Sequence, residues 1–239
     1  DPLFTSGSVR LAGEALSLSG TDGSTASLRN ISGANTYNGA ITFNSGTNRI
    51  DSDAGTLTLS SFANTLASNR SLLVGGAGNT IFTGRVTGNG SGSLVKDGAG
   101  TLTLANTNNE VGPSGLVLIN NGTLALGTNN ALAANRAVAV NGGTLDIGGY
   151  DNTVGAVTLT NGTIAGTTGV LTGTSYAVEG GTISARLGGG GALTKSGLGT
   201  VTLSGSNSYS GNTTIAGAGG ILRLTSVNSL SANTVLVGS

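Results

Sequence analysis

Residues 100–104 read Gly100-Thr101-Leu102-Thr103-Leu104, and variants of this phrase return down the chain. They include Gly122-Thr123-Leu124-Ala125-Leu126, Gly143-Thr144-Leu145-Asp146-Ile147, Gly199-Thr200-Val201-Thr202-Leu203 and Gly220-Ile221-Leu222-Arg223-Leu224. Shorter versions begin at Gly162-Thr163 and Gly181-Thr182. From Gly100 onward the intervals are 22, 21, 19, 19, 18 and 21 residues. Apolar and polar residues alternate in each, which is the period of a half-buried strand. So short a strand cannot bury a face alone, but stacked copies share one core. The predicted fold is all-β: a single-stranded right-handed parallel β-helix, or β-solenoid. Its hand follows the rule for parallel crossovers.

Composition agrees. The chain has 239 residues, of which 44 are Gly, with 3% aromatic and 8% charged residues. The apolar share is 37% and it alternates, so the chain reads as folded with small residues at turns. One continuous β-helix is expected over 1–239, with residues 1–54 as divergent N-terminal rungs or a cap. Rungs about 4.8 Å apart, about 11–12 of them, give a rod on the order of 55 Å long. Residues 105–114 (ANTNNEVGPS) read as a loop, because Pro113 follows Gly112. Ala131-Leu132-Ala133-Ala134 is the one short helix-compatible run, and it reads as a turn of a rung. Asn before Gly, as at Asn121-Gly122 and Asn161-Gly162, suits tight turns. Asn residues stacked at equivalent positions are candidates for amide ladders.

Two phrases recur at longer range. Leu94-Val95-Lys96-Asp97-Gly98-Ala99-Gly100-Thr101 returns 99 residues later as Leu193-Thr194-Lys195-Ser196-Gly197-Leu198-Gly199-Thr200. Ser32-Gly33-Ala34-Asn35-Thr36-Tyr37-Asn38-Gly39 returns as Ser204-Gly205-Ser206-Asn207-Ser208-Tyr209-Ser210-Gly211. Tyr37 and Tyr209 therefore read as equivalent repeat positions with packed or turn-covering rings. The alternative is a platform for glycan stacking.

The repeated phrases resemble the autotransporter-associated β-strand repeat, found in passenger regions of type V secreted proteins of Gram-negative bacteria. The resemblance is carried by Gly197, Gly199, Thr200, Leu203, Gly205, Asn207, Tyr209, Gly211, Thr213 and Ile215. The copy from Lys96 keeps Gly98, Gly100, Thr101, Leu104 and Asn108, with Glu110 where the Tyr is expected. Residues 90–220 carry the pattern well and 1–90 loosely. The resemblance implies a right-handed parallel β-helix displayed outside the outer membrane or secreted. It further implies an outer-membrane translocator barrel in the parent chain and roles in adhesion, aggregation and virulence.

The residues themselves point away from enzyme chemistry. The chain has no Cys and no His, which removes disulfides, Cys or His metal sites and histidine-based triads. Ten basic and ten acidic residues cancel. The basic ones are scattered and read as solvated charges, so nucleic acid is not an expected partner. No apolar run is long enough for a membrane-spanning helix. No signal peptide heads the chain, and its ends read as those of a processed product or an excised fragment.

Arg49, Asp51 and Asp53 alternate onto one strand face, where a polysaccharide-active β-helix would need further carboxylates on adjacent rungs. The nearest downstream acid is Asp97, over forty residues away. Glu110, Asp151 and Glu179 stand alone, and Gly148-Gly149-Tyr150-Asp151 lacks the repeated pattern of calcium-binding nonapeptides. Lys96 and Lys195 share one place in two repeats, which favours a structural or surface role over a Ser–Lys dyad. No catalytic, cofactor or metal residue is assigned. The expected function is a non-enzymatic surface passenger segment, an adhesin or self-associating fibre that binds itself or a host or surface ligand. The alternatives are an inert stalk and a polysaccharide-active enzyme. The last rung, around Thr234 and Leu236, is expected to present an open edge.

Overall fold

The computed structural model describes residues 3–4, 10–11, 13–20, 23–62, 70–88, 91–109, 115–216, 220–230 and 235–237. Among them every regular element is a β-strand, and every strand pairing is parallel. Twelve strands, from Leu3–Phe4 to Val235–Val237, form one long sheet. Eleven, from Arg10–Leu11 to Ile221–Leu224, form a second. The chain visits the two sheets in turn, so successive strands of each sheet come from successive coils. Asn152–Thr153, Val170–Thr172 and Arg186–Gly188 add a short third face. Leu16–Ser19 pairs with Ile41–Ser45 in a two-stranded sheet. This is a β-solenoid.

Alternation within each strand becomes columns along the solenoid. In the twelve-stranded sheet one inward column runs Leu28, Ile50, Val74, Lys96, Ile119, Val140, Leu159, Val178, Lys195 and Ile215. In the eleven-stranded sheet Leu102, Leu124, Leu145, Ile164, Ile183 and Leu203 stack inward. Each fully buried Leu, Ile or Val contributes about 1.5–3 kcal/mol of apolar transfer. That gain belongs to the stack, because a side chain is covered by the coils on either side of it.

The glycine–threonine phrase holds register for five coils and then slips. Thr101, Thr123, Thr144, Thr163 and Thr182 form one outward column. Thr182 then pairs with Thr202, not Thr200, and Gly181 pairs with Val201. The slip falls between two connections of unequal length between the sheets. Such connections are four residues long at 97–100, three at 120–122, 141–143 and 160–162, two at Glu179–Gly180, and four at Ser196–Gly199. The extra length is taken up before Thr202.

The run from Ala131 to Ala134 is not helical. Ala131, Leu132 and Ala133 are buried, and Leu132 makes an isolated parallel bridge to Asn109. Glu110 and Pro113, with the rest of 110–114, lie outside the described residues, as does Thr234. No helix among the described residues is long and apolar enough to cross a membrane.

Candidate functional site

The two repeat lysines are not on the surface. Lys96 is 2% exposed and Lys195 fully buried, each at the inward end of its strand. Each amine sits in a cup of backbone carbonyls. Lys96 Nζ donates to Gly98 O, with Asn121 O of the next coil at 3.4 Å. Lys195 Nζ donates to Ser196 O at 2.5 Å and Gly197 O at 2.9 Å. Burial lowers the Lys96 pKa to about 8, although Asp97 works the other way. In both copies a glycine closes the cup. A Cβ on Gly122 would lie 2.8 Å from the Lys96 amine, and one on Gly220 2.5 Å from that of Lys195. The reading of the basic residues as solvated charges therefore fails for these two and for Arg136, which is also buried.

A second inward device is a side-chain amide spliced between coils. Asn207 accepts from Leu187 N–H at 2.8 Å and donates to Ser229 O. Asn109 accepts from Val86 N–H at 2.9 Å and donates to Ala131 O at 2.8 Å. Sequence spacing aligned Asn207 with Asn108, but the structure gives the role to Asn109. Asn108 is exposed, with φ at 53°, and holds a left-handed turn. Asn152 accepts from Leu132 N–H at 3.4 Å in a related arrangement. An exposed amide pair, Asn141 to Asn120 at 3.3 Å, links two coils at the corner between the sheets.

The other marked repeat positions divide by face. Leu104 and Leu203 are core. Thr101 faces outward in the threonine column, and Gly100 is buried against the preceding coil. Gly98 is half-buried, whereas Gly197, Gly199 and Thr200 are exposed. Gly211 lies beside the Ala192 backbone.

Tyr37 and Tyr209 are 4% and 1% exposed, so neither ring is a glycan platform. They are not equivalent in space. Tyr37 is on a strand of the eleven-stranded sheet, opposite Leu59, and its hydroxyl donates to Glu14 O at 2.5 Å. Tyr209 follows that sheet, with its hydroxyl 2.7 Å from Thr213 Oγ1 and its ring centroid 6.0 Å from that of Tyr176. The shared eight-residue phrase thus occupies two different places in the coil.

The charged face of the N-terminal coils is a closed network. Arg49 Nε lies 2.9 Å from both Asp51 oxygens, and its Nη1 and Nη2 bond Asp97 at 2.7 and 3.0 Å. Asp97, remote in sequence, is therefore part of this cluster. Burial works to lower the Arg49 pKa, but its hydrogen bonds to Asp97 and Asp51 outweigh that and hold it above its ordinary value. Arg29 pairs with Asp53 at 2.7 Å beside it. The carboxylates that a glycan-cleaving site would need are engaged by arginines. Asp151 is engaged as well, accepting from Val170 N–H at 2.8 Å.

One surface groove is less closed. It measures about 390 Å³ and is lined by Thr160, Asn161, Glu179, Leu198 and Thr200 over a floor of glycines. It lies where the two-residue connection Glu179–Gly180 is overhung by the four-residue connection Ser196–Gly199. Leu198 at its rim is 80% exposed. Among the described residues the Glu179 carboxylate has no hydrogen-bond or ion-pair partner.

Parallel ladders, a shared inward column and a polar outer face define the protein as a β-solenoid. Residues 51–67, 94–126 and 193–224 match the family described as passenger-associated-transport-repeat. The chain therefore carries repeats of autotransporter passenger domains. The second and third matches span the two lysine cups, and the first falls in the part where the sequence pattern is loose. No curated protein and no solved structure matches the chain.

Proposed function

We propose that this solenoid is a non-enzymatic passenger segment held at the surface of a Gram-negative bacterium or secreted from it, where it acts as an adhesin or self-associating fibre. The observation that carries the reading is the match of three stretches to passenger repeats on a chain whose Arg49–Asp51–Asp97 cluster and repeat lysines are engaged in structure. The translocator barrel belongs to the parent chain in this reading. Cells displaying the segment are expected to clump or to bind host matrix, and cells displaying an unrelated solenoid of similar length are not. Absence of both behaviours would favour the second reading, a stalk that spaces another domain from the membrane. The uninterrupted sheets of twelve and eleven strands are what favour that alternative. Turnover of a glycan panel that is lost in Asp51→Asn would support the enzyme reading instead.

A further inference from the structure

We propose that the groove beside Glu179 binds an uncharged, hydroxyl-rich sugar unit of a glycan. The proposal deepens the adhesin reading and rests on it for its biological setting. The groove lies between two adjacent corners of different length. Ser196–Gly199 projects over the short Glu179–Gly180 corner, which leaves a recess between coils.

The recess offers donors and acceptors together. Lys195 draws the carbonyls of Ser196 and Gly197 toward the buried amine. A trans peptide carries its N–H opposite its C=O. The N–H groups of Gly197 and Leu198 therefore point away from the Lys195 amine, and neither has an acceptor among the described residues. Asn161 uses its side-chain oxygen on Gly162 N–H at 2.9 Å, which leaves its NH₂ to donate outward. Glu179 supplies a carboxylate acceptor, and the hydroxyls of Thr160 and Thr200 do both.

Such a mixture suits a ligand whose own groups both donate and accept, which is the character of sugar hydroxyls. Leu198 gives an apolar edge for the C–H face of a ring. Charge narrows the class. No basic side chain lines the recess, and Glu179 opposes acidic sugars. A simple cation site would not need N–H donors.

The test is binding of the 239-residue chain to an array of neutral, amino-sugar and acidic oligosaccharides, alongside lysine-rich peptides. Binding to neutral sugars is expected, with about tenfold or greater loss in Glu179→Gln, because the acceptor loses its charge and one oxygen becomes a donor. Leu198→Ser should also weaken it. Both side chains are exposed, so the strand signal in circular dichroism should not change. No sugar binding, unchanged affinity in both variants, or binding confined to acidic glycans or cationic peptides overturns the assignment. Cell adhesion separates the two readings. Adhesion that survives Glu179→Gln, with sugar binding absent, removes the groove and leaves the adhesin. Sugar binding without cell adhesion keeps the groove and removes the adhesin.

Discussion

Arg49 reaches Asp97, forty-eight residues further along the chain, by lying across Gly75. Arg29 pairs with Asp51 in register, Asp51 with Gly75, and the next coil places Asp97 beyond Gly75. A side chain at 75 would occupy the space the guanidinium uses, and its Cβ would stand 2.5 Å from Asp51 Oδ1. A glycine between two aspartates is thus what lets one arginine bind both.

Gly75→Ala should therefore destabilise by about 1–3 kcal/mol, through clash and loss of the arginine bridge. Urea midpoints will measure it. Arg49→Met frees the space, so the double variant should lose less than the two single losses combined. Additive losses would show that the clash and the bridge are separate.

The Lys96 cup predicts a pH dependence. The folded pKa is lowered to about 8 from 10.5, so the unfolded chain holds this proton more tightly. Stability should then rise with pH between about 8 and 10.5 and be level below 8 for this group. Lys96→Met should abolish that part of the rise. Urea unfolding of both chains across this pH window checks it.

The amide splice predicts an asymmetry between neighbours. Asn109→Ala should cost about 1–3 kcal/mol, because it leaves Val86 N–H and Ala131 O buried without that partner. Asn108→Gly should change stability by less than about 0.5 kcal/mol, since glycine accepts a positive φ. Thermal melts of the two variants decide the point. Equal losses would mean that Asn108 does more than make the turn.

Tyr176 ties three strands together. Its hydroxyl accepts from Gly173 N–H at 2.6 Å and lies 2.8 and 2.7 Å from the carbonyls of Leu171 and Gly188. Tyr176→Phe should cost about 1–3 kcal/mol, whereas Tyr150→Phe, at an exposed ring, should be near neutral. Burial also raises the Tyr176 pKa, so its ring should ionise above the ordinary tyrosine range in an ultraviolet titration.

Alternation within Gly100–Leu104 and its copies was enough to determine strands, parallel stacking and a shared apolar core. A period of two assigns each side chain to a face, and a period near twenty assigns each strand to a coil. The passenger-repeat resemblance was legible for the same reason, since it lies in residues that repeat. What lay beyond the sequence was how coils of unequal length sit on one another. Sequence spacing chose Asn108 where the structure uses Asn109, and matched Tyr37 to Tyr209 where the coils do not. Asp97 looked isolated until two coils brought it to Arg49. The shared place of the lysines left a structural and a surface role open until the turns following them supplied carbonyl cups. The Glu179 groove comes from a two-residue corner beneath a four-residue one. Local pattern fixes which way a side chain points, but connection length fixes which residue from another coil it meets. Only the assembled stack contains that second quantity.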